Sequence, residues 1–152
     1  MTTIIYDHKN KQIACDSRST IDGVIINNNS IKYKNDGDKL WFFCGRKGDV
    51  DTFISHYEPL SSANENMDVS AVFVITYGEC IDGVYMAVKD SDNTYAECII
   101  DHNYAQGSGE QWALSALDHG KTAKEAVEYA MTRDVYTGGK VHVYDIEKGE
   151  FI

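Results

Sequence analysis

The second residue of the chain carries a side chain that could bring its own base to a reaction. If Met1 is removed, Thr2 becomes the N-terminal residue and holds a hydroxyl and a free α-amine on the same carbon framework. An α-amine has a pKa of about 7.7–8.0, so a useful fraction of it is uncharged at neutral pH. The amine can then accept the hydroxyl proton, directly or through a water molecule, and the oxygen becomes a nucleophile.

A threonine at the second position is common, so its meaning depends on the residues that accompany it. Six segments combine small, hydroxyl and charged residues in a fixed order: Thr2–Ile5, Cys15–Thr20, Lys32, Cys44–Asp49, Gly107–Gly109 and Arg133–Gly139. Together they resemble the β subunits of the proteasome and the peptidase subunit of the bacterial HslUV protease. Each match is weak alone, whereas the ordered set is specific.

The individual segments can be compared with that family one at a time. Cys15–Thr20 resembles the family's Ala-Asp-Ser-Arg-Ala-Thr, and Lys32 follows Asp16 by 16 residues, the separation of the family's catalytic aspartate and lysine. Cys44–Asp49 is similar to the Ala-Gly-Gly-Ala-Ala-Asp turn that enters the first helix. Arg133–Gly139 is close to the Arg-Asp-Ala-Tyr-Ser-Gly-Gly of proteasomal β subunits.

The resemblance implies a threonine-type endopeptidase in which Thr2 is the nucleophile. Lys32 would place a cation beside the hydroxyl and the amine, where it stabilises alkoxide character and holds the amine towards neutrality. Asp16 would pair with Lys32 and fix its position. The product would be an acyl-enzyme ester that water then cleaves, and this chemistry requires no cofactor and no metal.

The same resemblance implies a set of supporting groups. Ser108 and Asp134 would hydrogen-bond the region of the α-amine and a bridging water, and Thr137 would complete that network. The N–H of Gly45 would stabilise the oxyanion, and a donor of this kind is typically worth about 3–4 kcal/mol. The primary specificity pocket would be surrounded by Ser19, Ser30, Lys34, Phe43, Lys47 and Asp51.

The pocket residues do not predict a preferred substrate side chain. Arg46 and Lys47 stand where the family has small residues, near the turn expected to hold the oxyanion. Phe43 narrows the pocket, while Lys47 and Asp51 carry opposite charges.

Simpler roles remain open for several of these residues when the resemblance is set aside. Lys32 and Lys34 lie on one face of a predicted strand, so alternation cannot choose between them, and only the spacing from Asp16 favours Lys32. Ser108 could be a helix N-cap, and Asp134 an acidic residue at a helix end.

The elements that must position these residues change type along the chain. Short apolar runs predict strands at Thr3–Tyr6, Gln12–Asp16, Val24–Ile26, Ile31–Lys34, Lys39–Cys44, Val69–Tyr77, Val84–Lys89, Tyr95–Ile100 and Val141–Ile146. The Asn-rich turn 27–29 is expected to join two of them as a pair. A short helix is expected over Asp49–Tyr57, and a surface loop over Pro59–Asp68. Two further helices are predicted, one around Trp112–Leu117 ending at Gly120 and one opening with a capping box at Thr122–Glu125.

Antiparallel strands with grouped helices predict the α+β class and one domain over residues 1–152. By resemblance, the fold is a four-layer αββα sandwich of two antiparallel sheets, the N-terminal-nucleophile hydrolase fold. Only Asp49–Asp68 is available where family members carry two long helices, so one helical layer is expected to be reduced.

Composition excludes several other classes of protein. The net charge of −10 disfavours binding to nucleic acid, and no apolar run reaches membrane-spanning length. The start of the chain lacks a signal-peptide pattern, so the mature chain is expected to begin at or next to Met1 in the cytoplasm. The cysteines have no paired spacing and are expected to be reduced, and the single histidines are expected not to bind metal: Cys15, Cys44, Cys80, Cys98, His8, His56, His102, His119 and His142.

Two functions remain for comparison. The first is a proteasome-like or HslV-like peptidase that acts on polypeptides as a homo-oligomer, a ring or a smaller assembly, with a possible ATP-dependent unfoldase as partner. The second is a non-catalytic, proteasome-like assembly or regulatory subunit that keeps Met1. The combined presence of Thr2, Asp16, Lys32, Ser108 and Asp134 favours the peptidase, because a scaffold has no physical need for that set.

Overall fold

The computed structural model describes residues 1–55, 67–77, 83–89, 94–99 and 101–152. Within these residues the chain forms two five-stranded antiparallel sheets, a two-stranded hairpin and three helices. Most of the predicted loop Pro59–Asp68 lies outside the described residues, as do Cys80 and two ends of predicted elements, Tyr57 and Ile100.

The first sheet brings together strands from both ends of the chain. Its strands are β1 (Thr3–Asp7), β2 (Gln12–Cys15), β10 (Tyr104–Gly107), β11 (His142–Asp145) and β12 (Glu150–Phe151), in the spatial order β10-β1-β2-β11-β12. β1 therefore lies between two partners, with Ile4 opposite Cys15 in β2 and opposite Gln106 in β10. This position fixes the start of the chain in the middle of the fold.

The second sheet follows chain order. Its strands are β5 (Tyr33–Asn35), β6 (Lys39–Gly45), β7 (Val69–Ile75), β8 (Val84–Lys89) and β9 (Thr94–Cys98). Along the chain, the hairpin of β3 (Ser19–Ile21) and β4 (Val24–Asn27) lies between β2 and β5. The helices are α1 (Lys47–Ser55), α2 (Glu110–Asp118) and α3 (Ala123–Met131). None of the helices among the described residues is long and apolar enough to cross a bilayer.

Successive side chains of a strand point to opposite faces of its sheet, so the apolar side chains pack into separate cores. Ile4 and Ile13 of the first sheet pack in one buried cluster with Phe42 and Val72 of the second. On the opposite face of β1, Ile5 packs with Val127 and other residues of α2 and α3. A third cluster joins α1 to the second sheet through Phe53 and Trp41. The period of two in β1 therefore gives each of its faces a different partner.

The predicted α+β class is confirmed as far as its antiparallel sheets and helices are concerned. The N-terminal hairpin forms as predicted, with Tyr6 opposite Ile13. The capping box of α3 is also present, because the Thr122 hydroxyl accepts from the Glu125 N–H while the Glu125 carboxylate accepts from the Thr122 N–H. The Glu125 carboxylate accepts from the Thr122 N–H and also from the Thr122 hydroxyl, and these two hydrogen bonds lower the pKa of the Glu125 carboxyl.

One predicted strand pairing is wrong. Val24–Ile26 was expected to pair with Ile31–Lys34 across the Asn-rich turn, but β4 pairs with β3, and Tyr33–Asn35 pairs with β6 instead. The turn between β3 and β4 is Asp22–Gly23, and both residues have positive φ angles, 49° and 79°. This backbone matches the twist of a two-residue hairpin, and an Asp-Gly between apolar residues is a strong signal for it. The sequence analysis did not predict β3, β10 or β12 as strands.

Candidate active site

Thr2 lies directly before β1, with only 5% of its surface exposed. Its carbonyl accepts a hydrogen bond from the Ser108 N–H at 2.9 Å, and Thr3 is paired with Gly107 across β1 and β10. Gly107 has a φ of 105°, and a Cβ at this position would collide with the Thr2 carbonyl. A glycine is therefore required for the close approach that seats Thr2.

Asp16 follows the end of β2 and is completely buried. Its Oδ1 accepts from the Thr3 N–H at 3.0 Å and from the Lys32 ammonium at 2.9 Å. Its Oδ2 accepts from the Gly138 N–H at 2.9 Å and from the Arg18 N–H at 3.2 Å. Four donors from four parts of the chain thus converge on one carboxylate, and they supply the hydrogen bonds that a buried charge requires.

Lys32 is buried beside this carboxylate and also contacts the start of the chain. Its Nζ donates to the Met1 carbonyl at 3.0 Å as well as to Asp16. The cation therefore lies next to the peptide bond that precedes Thr2. Lys34, the alternative lysine, forms an exposed ion pair with Asp51 at 2.6 Å. The structure thus brings Lys32, and not Lys34, together with Asp16 and Thr2.

A chain of hydroxyls lies next to Thr2 and ends on Asp134. The Ser108 and Thr137 hydroxyls both donate to Asp134 Oδ2, each at 2.5 Å. The Thr137 oxygen lies 2.6 Å from the Thr3 hydroxyl oxygen, and the Thr3 oxygen accepts from the Gly109 N–H at 3.0 Å. Because the Thr137 proton is directed to Asp134, the Thr3 hydroxyl must donate to Thr137.

Thr3 is a member of this network that sequence reasoning missed. It is completely buried, and its hydroxyl joins β1 to both the α2 entry and the Thr137 loop. The only signal in the sequence was a hydroxyl residue at a position where alternation allows an apolar one. The interpretation of Ser108 as an N-cap is wrong, since Gly109 is the N-cap of α2 and no side chain caps it.

Arg18 is a second residue that sequence reasoning did not single out. Its guanidinium donates to the Asn28 side-chain oxygen at 3.0 Å and to the Val135 carbonyl at 2.9 Å. A Cβ on Gly138 would collide with this guanidinium. Arg18 and Gly138 thus hold the loop after α3 against the segment that carries Asp16.

Gly45 is placed at the end of β6 on the same side as Thr2. The Phe43 N–H donates to the Lys32 carbonyl, whereas the Arg46 N–H donates to Asp68 on the opposite side of the strand. Because N–H groups alternate along a strand, the Gly45 N–H points to the Lys32 side. Both Gly45 and Thr2 line the same cavity.

The cavity beside Thr2 has a volume of about 420 Å³. Of the six residues expected to surround the specificity pocket, Ser19, Ser30, Phe43 and Lys47 line it. The Ser19 hydroxyl donates to the Ser30 hydroxyl at 2.5 Å. Lys34 and Asp51 do not line the cavity, which differs from the expectation, because they pair with each other at the surface.

Cys44 also lines the cavity, so its thiol needs to be considered as a rival nucleophile. The side chain is 6% exposed, and its sulfur lies 2.8 Å from the Ser70 hydroxyl. Burial raises the pKa of the Cys44 thiol above its ordinary value, and burial with the neighbouring Asp16 raises the pKa of Cys15 to about 12. Both thiols are therefore protonated at neutral pH and poorly nucleophilic. In the described part of the chain, no cluster of three or more His, Cys, Asp or Glu side chains could hold a metal ion.

Comparisons with known proteins agree with the resemblance at the level of the fold. No protein-family model and no curated protein matches the sequence. Among solved structures, the crystal structure of eukaryotic HslV from Trypanosoma brucei matches with a TM-score of 0.72 over 93% of this chain and 97% of that chain. This chain has an HslV-like fold. The sequence identity is 14%, so the likeness concerns the fold alone.

Replacement of Gly107 by alanine is expected to displace Thr2. The control is Gly120→Ala, because Gly120 also has a positive φ but its added Cβ would meet no atom within 4 Å. The control should lose about 1–2 kcal/mol of unfolding free energy from backbone strain alone. Gly107→Ala adds a collision with the Thr2 carbonyl and should lose clearly more unfolding free energy, as measured by urea denaturation. Equal losses for the two variants would contradict the close approach.

Removal of the Asp16 charge is expected to be far more costly than removal of an exposed aspartate. Asp16→Asn leaves the buried Lys32 without its counter-charge, which should lower the free energy of unfolding by about 3–5 kcal/mol. The matched control is Asp51→Asn, which breaks the exposed pair with Lys34 and should cost less than about 1 kcal/mol. Chemical denaturation measures both values. Similar small losses would show that Asp16 does not anchor the site.

Proposed function

We propose that this chain is a threonine-type endopeptidase of the proteasome and HslV kind, with Thr2 as its nucleophile after removal of Met1. The observation that carries the proposal is the buried pair of Lys32 and Asp16, whose ammonium lies 3.0 Å from the carbonyl directly before Thr2. The HslV-like fold supports it independently. A scaffold role alone would give no reason to bury a lysine at this point, since burial of a charge is costly.

In the proposed reaction, the free α-amine of Thr2 takes the proton from the Thr2 hydroxyl. Lys32 stabilises the developing alkoxide, and Asp16 keeps that ammonium in place through a bond of 2.9 Å. The alkoxide attacks the substrate carbonyl, whose oxygen becomes negative and accepts from the Gly45 N–H. The amine then returns the proton to the leaving nitrogen. An ester to Thr2 remains, and water activated by the same amine releases the second product.

Ser108, Asp134 and Thr137 have the supporting role in this proposal. Asp134 accepts from both hydroxyls, so its charge is spread over a fixed network beside Thr2. The Ser108 N–H already holds the Thr2 carbonyl. These contacts reduce the freedom of the N-terminal residue, and a restricted nucleophile loses less entropy on reaching the attacking geometry.

The proposal extends to architecture and assembly. Residues 1–152 would form one four-layer αββα domain, in which α1 represents a reduced outer layer on the second sheet. The chain would act on polypeptides in the cytoplasm as a homo-oligomer, a ring or a smaller assembly. An ATP-dependent unfoldase is a possible partner, and the reaction itself needs no cofactor.

The second candidate is a non-catalytic subunit that retains Met1. In this candidate the hydrogen bond from the Lys32 ammonium to the Met1 carbonyl is kept. With Met1 in place, the nitrogen of Thr2 is an amide and cannot act as a base. The two candidates therefore differ in the chemical state of one nitrogen atom, which covalent labelling can detect.

A peptide epoxyketone or β-lactone is expected to add one inhibitor mass per chain to the wild-type protein. The same reagent should add nothing to Thr2→Ala and should still label Thr2→Ser, which keeps the hydroxyl. Intact-protein mass spectrometry measures the adduct, and circular dichroism checks that each variant is folded. Equal labelling of wild type and Thr2→Ala, or absence of labelling in a chain that has lost Met1, would refute Thr2 as the nucleophile. A native chain that keeps Met1 and takes no label would support the second candidate.

Replacement of Lys32 by methionine is expected to abolish the reaction while most of the buried volume is kept. The loss of the cation should lower the labelling rate by about 10²–10³-fold or more. Lys34→Met is the matched control, since Lys34 lies two residues further along, in β5, and pairs with Asp51 outside the cavity. It should change the labelling rate by less than about threefold. If Lys34→Met were the slower variant, the assignment of Lys32 would be wrong.

A further inference from the structure

The cavity beside Thr2 has one wall of unusual composition. Ile21, Ile26 and Ile31 line it, and each is at least half exposed, at 59%, 56% and 50% of its surface. Phe43 lines the same space. Exposed aliphatic side chains grouped along a cavity are typical of a surface that buries an apolar ligand group. The β3–β4 hairpin supplies much of this wall, so the unpredicted hairpin also determines the chemistry of the cavity.

The charged residues of the cavity all have the same sign. Among the described residues that line it, Lys32, Arg46 and Lys47 are cationic and none is acidic. This is notable in a chain with a net charge of −10. Lys32 is paired with Asp16, and Arg46 lies 3.6 Å from Asp49, so the exposed Lys47 is the charge at the rim best placed to meet a ligand.

We infer that the cavity selects peptides in which an apolar residue is next to an acidic one. The apolar side chain occupies the space between the isoleucines and Phe43, and the carboxylate of the neighbouring residue pairs with Lys47. This inference rests on the proposed function and names its substrate class. A lysine or arginine side chain is rejected, because its charge would leave water for an apolar wall in a cavity that Lys47 also lines. Unfolded segments rich in Asp or Glu around single Leu or Phe residues fit this description.

The test uses three internally quenched peptides of equal length and the processed, full-length protein. The first has a central leucine flanked by glutamates, the second has the same leucine flanked by lysines, and the third has a central lysine flanked by glutamates. Mass spectrometry locates the cleaved bond, and the rates give kcat/KM. The first peptide should be cleaved about fivefold faster than the second, because an exposed charge pair contributes modestly. The third should be slower than the first by about tenfold or more, because it brings a cation to an apolar wall.

Reversing the charge of Lys47 tests whether the preference comes from this side chain or from the net charge of the protein. Lys47→Glu should abolish or invert the preference between glutamate and lysine flanks. Lys124→Glu is the matched control, because it makes the same charge change at an exposed position of α3, and it should leave the preference unchanged. Added salt should weaken the preference of the wild-type protein, since exposed charges are screened.

The outcomes separate the inference from the function on which it rests. Thr2-dependent cleavage with equal or faster turnover of the lysine-flanked peptide would overturn the inference and leave the peptidase standing. A preference that survives Lys47→Glu would overturn it as well. If the epoxyketone fails to label Thr2 and no peptide is cleaved, the proposed function falls, and the inference falls with it.

Discussion

One buried carboxylate holds the candidate site together. Asp16 accepts from a backbone N–H at the start of the chain, from one in its own segment, from one in the loop after α3, and from the Lys32 ammonium. Burial makes an unpaired charge costly, so each of these contacts is needed by the carboxylate and is in turn fixed by it. The position of the lysine relative to Thr2 is therefore a property of the fold. A mobile surface charge could not serve in the same way.

The rest of the site is built by bringing backbones unusually close. Gly107 allows β10 to approach Thr2, and Gly138 allows the loop after α3 to approach Arg18. In both cases a methyl group would occupy space that another part of the chain already fills. These contacts determine how closely the segments of this chain meet, within a fold that it shares with HslV at 14% identity. Many other positions are constrained only by being apolar or polar.

Much of this arrangement was readable from the sequence because it depends on local or spaced signals. The spacing of Asp16 and Lys32 suggested a pair that the structure shows as an ion pair, and the capping box at Thr122 formed as expected. The role of Thr3 was not readable, because a buried hydroxyl looks like any polar strand residue until its partners are known. The sequence also did not indicate that Lys34 and Asp51 lie outside the cavity, because this depends on how β5 and α1 meet at the surface. The pairing of β3 with β4 was available in principle from Asp22–Gly23, but the Asn-rich turn competed with it.

The proposed mechanism requires that the nitrogen of Thr2 becomes a free amine beside Lys32. The most direct test is the mass of the N-terminal peptide of the protein purified from its native source. We expect this peptide to begin at Thr2. A peptide that uniformly retains Met1 would mean that the nitrogen is an amide without basic character, and the mechanism would be contradicted while the HslV-like fold would stand.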